Sequence, residues 1–273
     1  MQSVCGEDIA AQVAVEIAKD VYSDGAKPAM KKTGELLSIV PRAINAALLP
    51  LNMWIAHREY QLEETKKLLA AKLEKINPDK IVSPEAYIAV PTLQAISYSM
   101  DHPRIRDMYA NLLAASMVDS MRDNTHPSFV EIIKQMTPDE ACILEFLVKE
   151  WRYALPIITL RKTLANKGEI DIFRHFSRLY SLCPGLQMKN PSAVAVALDN
   201  LCRLGLGYIP EDRHFIDDSW YANLETDPYV LSLKESTGLG KDERWTIHKA
   251  MFALSSLGRA FADICIVFDG CVR

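Results

Sequence analysis

Prolines and hydroxyl-bearing residues cut this chain into short segments, and the cuts have the chemistry of helix starts. Thr137-Pro138-Asp139-Glu140 is a capping box. The hydroxyl can accept from the third residue's N–H while the glutamate reaches back. Ser128-Phe129-Val130-Glu131 repeats the pattern. Ser83-Pro84-Glu85 and Asn190-Pro191-Ser192 each place a capping side chain ahead of a proline at the first helical position. Only 11 of 273 residues are glycine, below the usual ~7%. A chain punctuated in this way is built mainly from helices.

Apolar spacing fills in the segments. Ile9, Val13, Ile17 and Val21 form a stripe four residues apart. Ile55, Leu62, Leu69 and Ile76 fall seven apart and predict a helix over 51–76. That seam is short for an independent coiled coil, so it packs inside a bundle and leaves scope for a homo-oligomer. The helix from Ser83 runs to about Met100, with a kink at Pro91. After His102-Pro103, the residues Ile105, Met108, Tyr109, Leu112 and Ser116 share one face. Leu113 and Met117 widen it into a central, buried helix. Leu144, Leu147, Val148 and Trp151 make the apolar face of the helix that starts at Thr137.

The texture changes after Tyr153. The stretch from Pro156 to Leu160 reads as a strand or a short helix. The helix after Asn190 turns Val194, Leu198, Leu201 and Cys202 inward and ends at Leu204-Gly205-Leu206-Gly207. Tyr208-Ile209 leads away as a strand, and the stretch from Trp245 to Leu254 returns as a second. Ser255 or Ser256 then caps a helix with Leu257, Phe261, Ile264, Cys265 and Phe268 on one face. That order is the order of a winged helix. The expected fold is mainly α: an N-terminal helical bundle over 1–136, then a winged-helix-like C-terminal domain over 137–273 with a small β-hairpin and an acidic insertion at 211–244.

Charge bears on partners. Thirty-one basic and 35 acidic residues leave a net charge of −4, in a chain that is 49% hydrophobic and 24% charged. This is the balance of a soluble globular protein, and it argues against an electrostatically driven nucleic-acid binder. The 211–244 insertion holds nine acids and four bases, net −5, where a wing would meet phosphates. On the helix that would read a groove, Lys189 and Arg203 are the basic residues, so they are the candidate surface contacts. Two bases are thin for major-groove recognition, and duplex DNA is not an expected partner.

The six cysteines form no C-x-x-C pair and no zinc-ligand spacing; they read as small buried hydrophobes of a cytoplasmic protein. No signal peptide is visible at the N-terminus. The apolar segment 36–56 has the length of a span but carries Arg42, Asn45, Asn52 and two prolines. Each mid-bilayer arginine costs about 2.5–3.5 kcal/mol, so buried helix segments are favoured over membrane-surface contact and over a span. No phosphate-loop, dinucleotide, nucleophile-elbow or zincin motif occurs. His102 and His126 precede prolines and read as loop caps. Glu64-Thr65-Lys66 sits on a charged helix face, and the Asp217-Asp218 and Asp242-Glu243 pairs read as solvated loop. No catalytic residue, cofactor or metal is expected, and the protein is read as a non-enzyme.

Several runs carry a resemblance. They are Ser97-Tyr98 and Tyr109-Ala110-Asn111-Leu112-Leu113-Ala114-Ala115-Ser116-Met117, then His126-Pro127-Ser128-Phe129-Val130-Glu131-Ile132, and Thr137-Pro138-Asp139-Glu140-Ala141. Tyr22, Asp24 and Lys27-Pro28 near the start, and Leu257-Gly258-Arg259 with Phe261 near the end, also fit. Together they resemble the Abi-alpha (abortive infection alpha) family of bacterial proteins, over most of the chain from Val21 to Cys265. The resemblance implies a cytosolic anti-phage protein with no established catalytic residues. It would act as a sensor or effector by binding a phage or host protein. The alternatives are a membrane-directed effector using 36–56 and a nucleic-acid-sensing winged-helix protein.

Overall fold

The structure, a computed structural model, describes residues 59–99, 101–150, 154–164 and 168–268. The 9–21 stripe, the 36–56 segment, Trp151 and the first part of the helix expected over 51–76 lie outside the described residues. The chain divides into two compact units: Met1–Gln135 with Asp263–Arg273, and Met136–Ala262.

Unit 1 holds helices α1 (Glu59–Leu73), α2 (Ala86–Tyr98), α3 (Pro103–Ser116) and α4 (Ser128–Lys134). Pro103 starts α3, and every residue from Met108 to Ser116 is buried, as its wide apolar face predicts. From Thr65 on, where side chains are described, the buried residues of α1 are Thr65, Leu69 and Leu73, four apart, and the helix stops three residues short of Ile76. Those three follow the i,i+4 neighbours of a helix, while Ile55 and the side chain of Leu62 in the expected seven-residue seam lie outside the described residues. α2 starts after Glu85, later than the Ser83-Pro84 signal implies. It holds Pro91 internally, and the buried Thr92 hydroxyl donates to the Ile88 carbonyl at 2.6 Å.

The capping box expected at Ser128 is replaced by a histidine cap. His126 Nδ1 accepts from the Ser128 N–H at 3.1 Å and also meets the Ser128 hydroxyl at 2.6 Å. Glu131 pairs instead with Lys134, at 2.7 Å. Asn111, 3% exposed, donates from Nδ2 to the Cys265 carbonyl at 2.8 Å, which ties α3 to the C-terminal segment of the same unit.

Unit 2 runs α5 (Pro138–Glu150), β1 (Ala154–Leu164), β2 (Gly168–Phe176), α6 (Leu179–Leu182), α7 (Pro191–Arg203), β3 (Gly207–Tyr208), α8 (Ser219–Glu225), α9 (Pro228–Thr237), β4 (Arg244–Leu254) and the start of α10 (Ser256–Cys265). The capping box of α5 forms as expected. The Thr137 N–H donates to the Glu140 carboxylate at 2.7 Å, and the Glu140 N–H donates to the Thr137 hydroxyl at 3.2 Å. The carboxylate's second oxygen accepts from Asn200 Nδ2 at 2.8 Å, so a buried acid is fully used. Asn190 caps α7 by accepting from the Ser192 N–H at 2.9 Å. Ser255 caps α10 through Gly258, but Leu257 points outward at 40% exposure.

The small β-hairpin needs correcting. The described β structure is a four-stranded antiparallel sheet in the order β2-β1-β4-β3. β4 pairs along its length with β1, and β3 adds two residues at its far end. The insertion is not a loop-like wing. It folds into α8 and α9, which bury Tyr221, Leu224 and Val230 against Ile158, Leu160 and Phe176 of the sheet. The acids of the insertion lie outside that apolar contact, apart from Asp227. This residue, 3% exposed, caps α9 and accepts from the Tyr180 hydroxyl at 2.8 Å. Gly207 is required where β3 meets β4, because a Cβ there would stand 2.1 Å from the Phe252 ring. Among the described residues no helix is long and apolar enough to cross a membrane.

Candidate functional site

Side chains alternate across a strand, so the neighbours of Ile158 and Leu160 face the other way. They are Thr159 and Arg161, and β4 places His248 opposite Thr159 and Thr246 opposite Arg161. On this second face α7 packs against β2 and β3. The remainder forms a cleft of about 670 Å³. Thr159, Arg161, Arg174, His175, Asp199, Cys202, His248 and Ala250 line it, with a wall made by residues 207–211.

A β-bulge builds the centre of the cleft. Ile158 pairs with Phe176 and Leu160 with Phe173, so one residue of β1 faces two of β2, Arg174 and His175. His175 takes the extra position with φ 57°, a left-handed conformation that costs a non-glycine residue energy. Its ring Nδ1 lies 2.6 Å from Asp199 Oδ1 on α7. Asp199 therefore holds the imidazole by one nitrogen and leaves Nε2 for other partners. His175, Thr159 and His248 form a row across three adjacent strands. At about 4.8 Å per strand step, the histidine Cα atoms stand about 10 Å apart with Thr159 between them.

The charged groups are partly matched. Arg161 Nε bonds Asp171 at 2.7 Å, with Glu169 3.7 Å from its Nη1. Arg174 Nε shares Asp171 at 3.5 Å. Among the described residues the side chain of His248 makes no hydrogen bond or ion pair, and that of Glu211 at the rim makes none either. Thr159 is only 6% exposed, yet its hydroxyl is open to the cleft and has no hydrogen-bond partner among the described residues. Burial, with help from the Asp199 charge, pushes the Cys202 thiol up to about 11. Cys202 is thus a neutral thiol at physiological pH and no activated nucleophile. Among the described residues no group of three or more His, Cys, Asp or Glu side chains has the arrangement to hold a metal ion.

Lys189 and Arg203 fall elsewhere. Lys189 precedes α7 and donates to the Leu186 carbonyl at 2.7 Å, and Arg203 ends α7, donating to Asn200 Oδ1 at 2.8 Å. Fourteen residues of mostly helical chain put them about 20 Å apart. Neither lines the cleft. His175, Thr159 and His248 carry no sequence signal of their own, since their meeting depends on strand pairing and a bulge.

No curated protein and no solved structure matches the chain significantly. The family model described as "Abortive infection alpha" does match, over residues 57–265, which spans α1 to α10 and includes every residue of the cleft. The chain belongs to the abortive infection alpha family.

Proposed function

We propose that this protein serves anti-phage defence as a sensor or effector that works by binding, with the unit 2 cleft as its recognition site and a phage or host protein as its output partner. Family membership supports the defence role. The observation that carries the binding site is the polar row His175–Thr159–His248, held open on a sheet whose other face is packed with aromatic side chains. The protonated state of Cys202 supports recognition over covalent catalysis. Unit 2 is proposed to be a winged-helix-like module enlarged by β2 and by the helical insertion. The succession α6, α7, β3, β4 supports that reading.

Duplex DNA is not proposed as the ligand. The insertion carries net −5, and Lys189 and Arg203 sit at opposite ends of α7. A duplex binder neutralises about 6–10 phosphates. The test is protection of bacteria expressing the full chain. Cleft substitutions that leave the protein folded are expected to lower protection, and full protection by such variants would reject the cleft as the working site.

A further inference from the structure

We propose that the cleft takes the phosphoryl group of a small phosphate monoester, held across the row His175, Thr159 and His248 with Arg161 beside it. This deepens the cleft reading above and rests on it. Three observations lead there.

The first is Thr159. Its residue is more than nine-tenths buried, it lines the cleft, and its hydroxyl has no partner. The hydroxyl itself is not sealed: it opens into the cleft, where a ligand can reach it. The row gives the hydroxyl nothing to bind from within the protein. A ligand oxygen seated between the two histidines would meet it.

The second is the balance of donors and acceptors. The carboxylates around the cleft are mostly engaged: Asp199 by His175, and Asp171 and Glu169 by the guanidinium groups. The donors are not exhausted. Each guanidinium carries five N–H groups, and the closest contacts of Arg161 and Arg174 are made through Nε. His175 retains Nε2, His248 retains both ring nitrogens, and Thr159 retains its hydroxyl. Apart from Glu211 at the rim, the carboxylates are taken while these donors are not, and phosphoryl oxygens supply three acceptors. With Nδ1–H held by Asp199, Nε2 of His175 accepts from a protonated phosphoryl oxygen when the ring is neutral and donates to an ionised one as the imidazolium, so either charge state of the monoester is met.

The third is charge at larger scale, which sets the ligand's size. A polynucleotide would have to run past an insertion of net −5 and a rim bearing Glu211. Its affinity would depend on many phosphate contacts. This cleft offers two guanidinium groups that are already partly compensated. One phosphoryl group can be served by convergent hydrogen bonds inside the cleft, where a long polyanion cannot. The volume, about 670 Å³, lies in the range of small-molecule sites and admits a group the size of a nucleoside monophosphate.

Calorimetry on the purified full chain tests this, with inorganic phosphate, adenosine 5′-monophosphate and adenosine as probes, sodium sulfate as the control for a bare anion, and a 5′-phosphorylated oligoribonucleotide as the polymer arm. Inorganic phosphate and adenosine 5′-monophosphate are expected to bind and adenosine to fail. Phosphate alone binding as well as the nucleotide identifies free phosphate as the ligand; tighter nucleotide binding identifies the ester. Thr159→Val and His248→Gln should each weaken binding about tenfold or more, the loss expected for one hydrogen bond to a charged group, with unfolding midpoints unchanged. The proposal is overturned if neither phosphate nor the nucleotide binds, if sulfate binds equally well, if the oligoribonucleotide is preferred, or if Thr159→Val binds like the parent. Plaque counts with the same variants separate this from the cleft reading. Lost protection without phosphate binding sinks the ligand class alone, and intact protection sinks the recognition site itself.

Discussion

The two faces of the unit 2 sheet come from the same strands and have opposite chemistry. Ile158, Leu160 and Phe176 turn one way, into a cluster with Tyr221, Leu224 and Val230, edged by Trp245 and Ile247. Thr159, Arg161 and His248 turn the other way and line a cleft. Alternation puts these two sets a single residue apart in sequence. The aromatic face holds the insertion helices in place, and its side chains have what they need: the buried Tyr221 hydroxyl donates to the Ala250 carbonyl at 2.9 Å and accepts from the Phe215 N–H at 2.9 Å. The polar face keeps an unpaired hydroxyl, a left-handed histidine and an unpartnered imidazole. One face is closed by packing and the other keeps polar groups open to the cleft, which is the difference between a surface that stabilises and a surface that binds.

The comparison breaks most visibly on the aromatic side. Phe176→Ala should cost about 3–5 kcal/mol, as for other buried aromatic truncations, read from the urea midpoint. A loss below about 1 kcal/mol would mean that the insertion helices do not depend on this face. Gly258→Ala should follow at about 1–3 kcal/mol, since its Cβ would stand 1.9 Å from the Leu206 carbonyl oxygen and backbone must move. Glu140→Ala removes half of a capping box and the partner of Asn200, for about 1–2 kcal/mol. On the polar face the expectation reverses. Thr159→Val exchanges an unpartnered hydroxyl for a methyl and should shift stability by less than about 1 kcal/mol, in either direction. A large loss there would show that the hydroxyl is structural.

The smallest expected effect is chemical. The Cys202 thiol is raised to about 11, so its thiolate is scarce at pH 8, about one part in a thousand. Because the raised value favours the protonated form, reaction of Cys202 with iodoacetamide should be slow at neutral pH. It should rise about tenfold per pH unit towards pH 11. Rapid labelling at pH 7 would contradict the apolar setting that the cleft floor gives this residue.

Local chemistry made part of this legible from sequence, and long-range pairing hid the rest. The Thr137–Glu140 box, Asn190 and the wide face of α3 are signals contained within one or two turns, and each forms as read. Ser128 failed as a cap because a nearer competitor, the His126 ring, meets its N–H. β2 was missed because the bulge at Arg174-His175 puts Phe173 and Phe176 on one face at a spacing that matches no strand period. The acids of 211–244 masked two helices whose inward residues, Tyr221, Leu224 and Val230, are sparse; the Asp227-Pro228 start was the available sign. His175 and Asp199 are 24 residues apart and meet only because α7 packs on β2, so composition could not pair them.

Protection against phage by the Thr159→Val, His248→Gln double variant, measured beside its urea midpoint, tests the division between the two faces most directly. The account predicts a protein as stable as the parent to within about 1 kcal/mol that no longer reduces plaque numbers. A double variant that is equally stable and protects as well as the parent would contradict it, and would move the working surface off the polar face of the sheet.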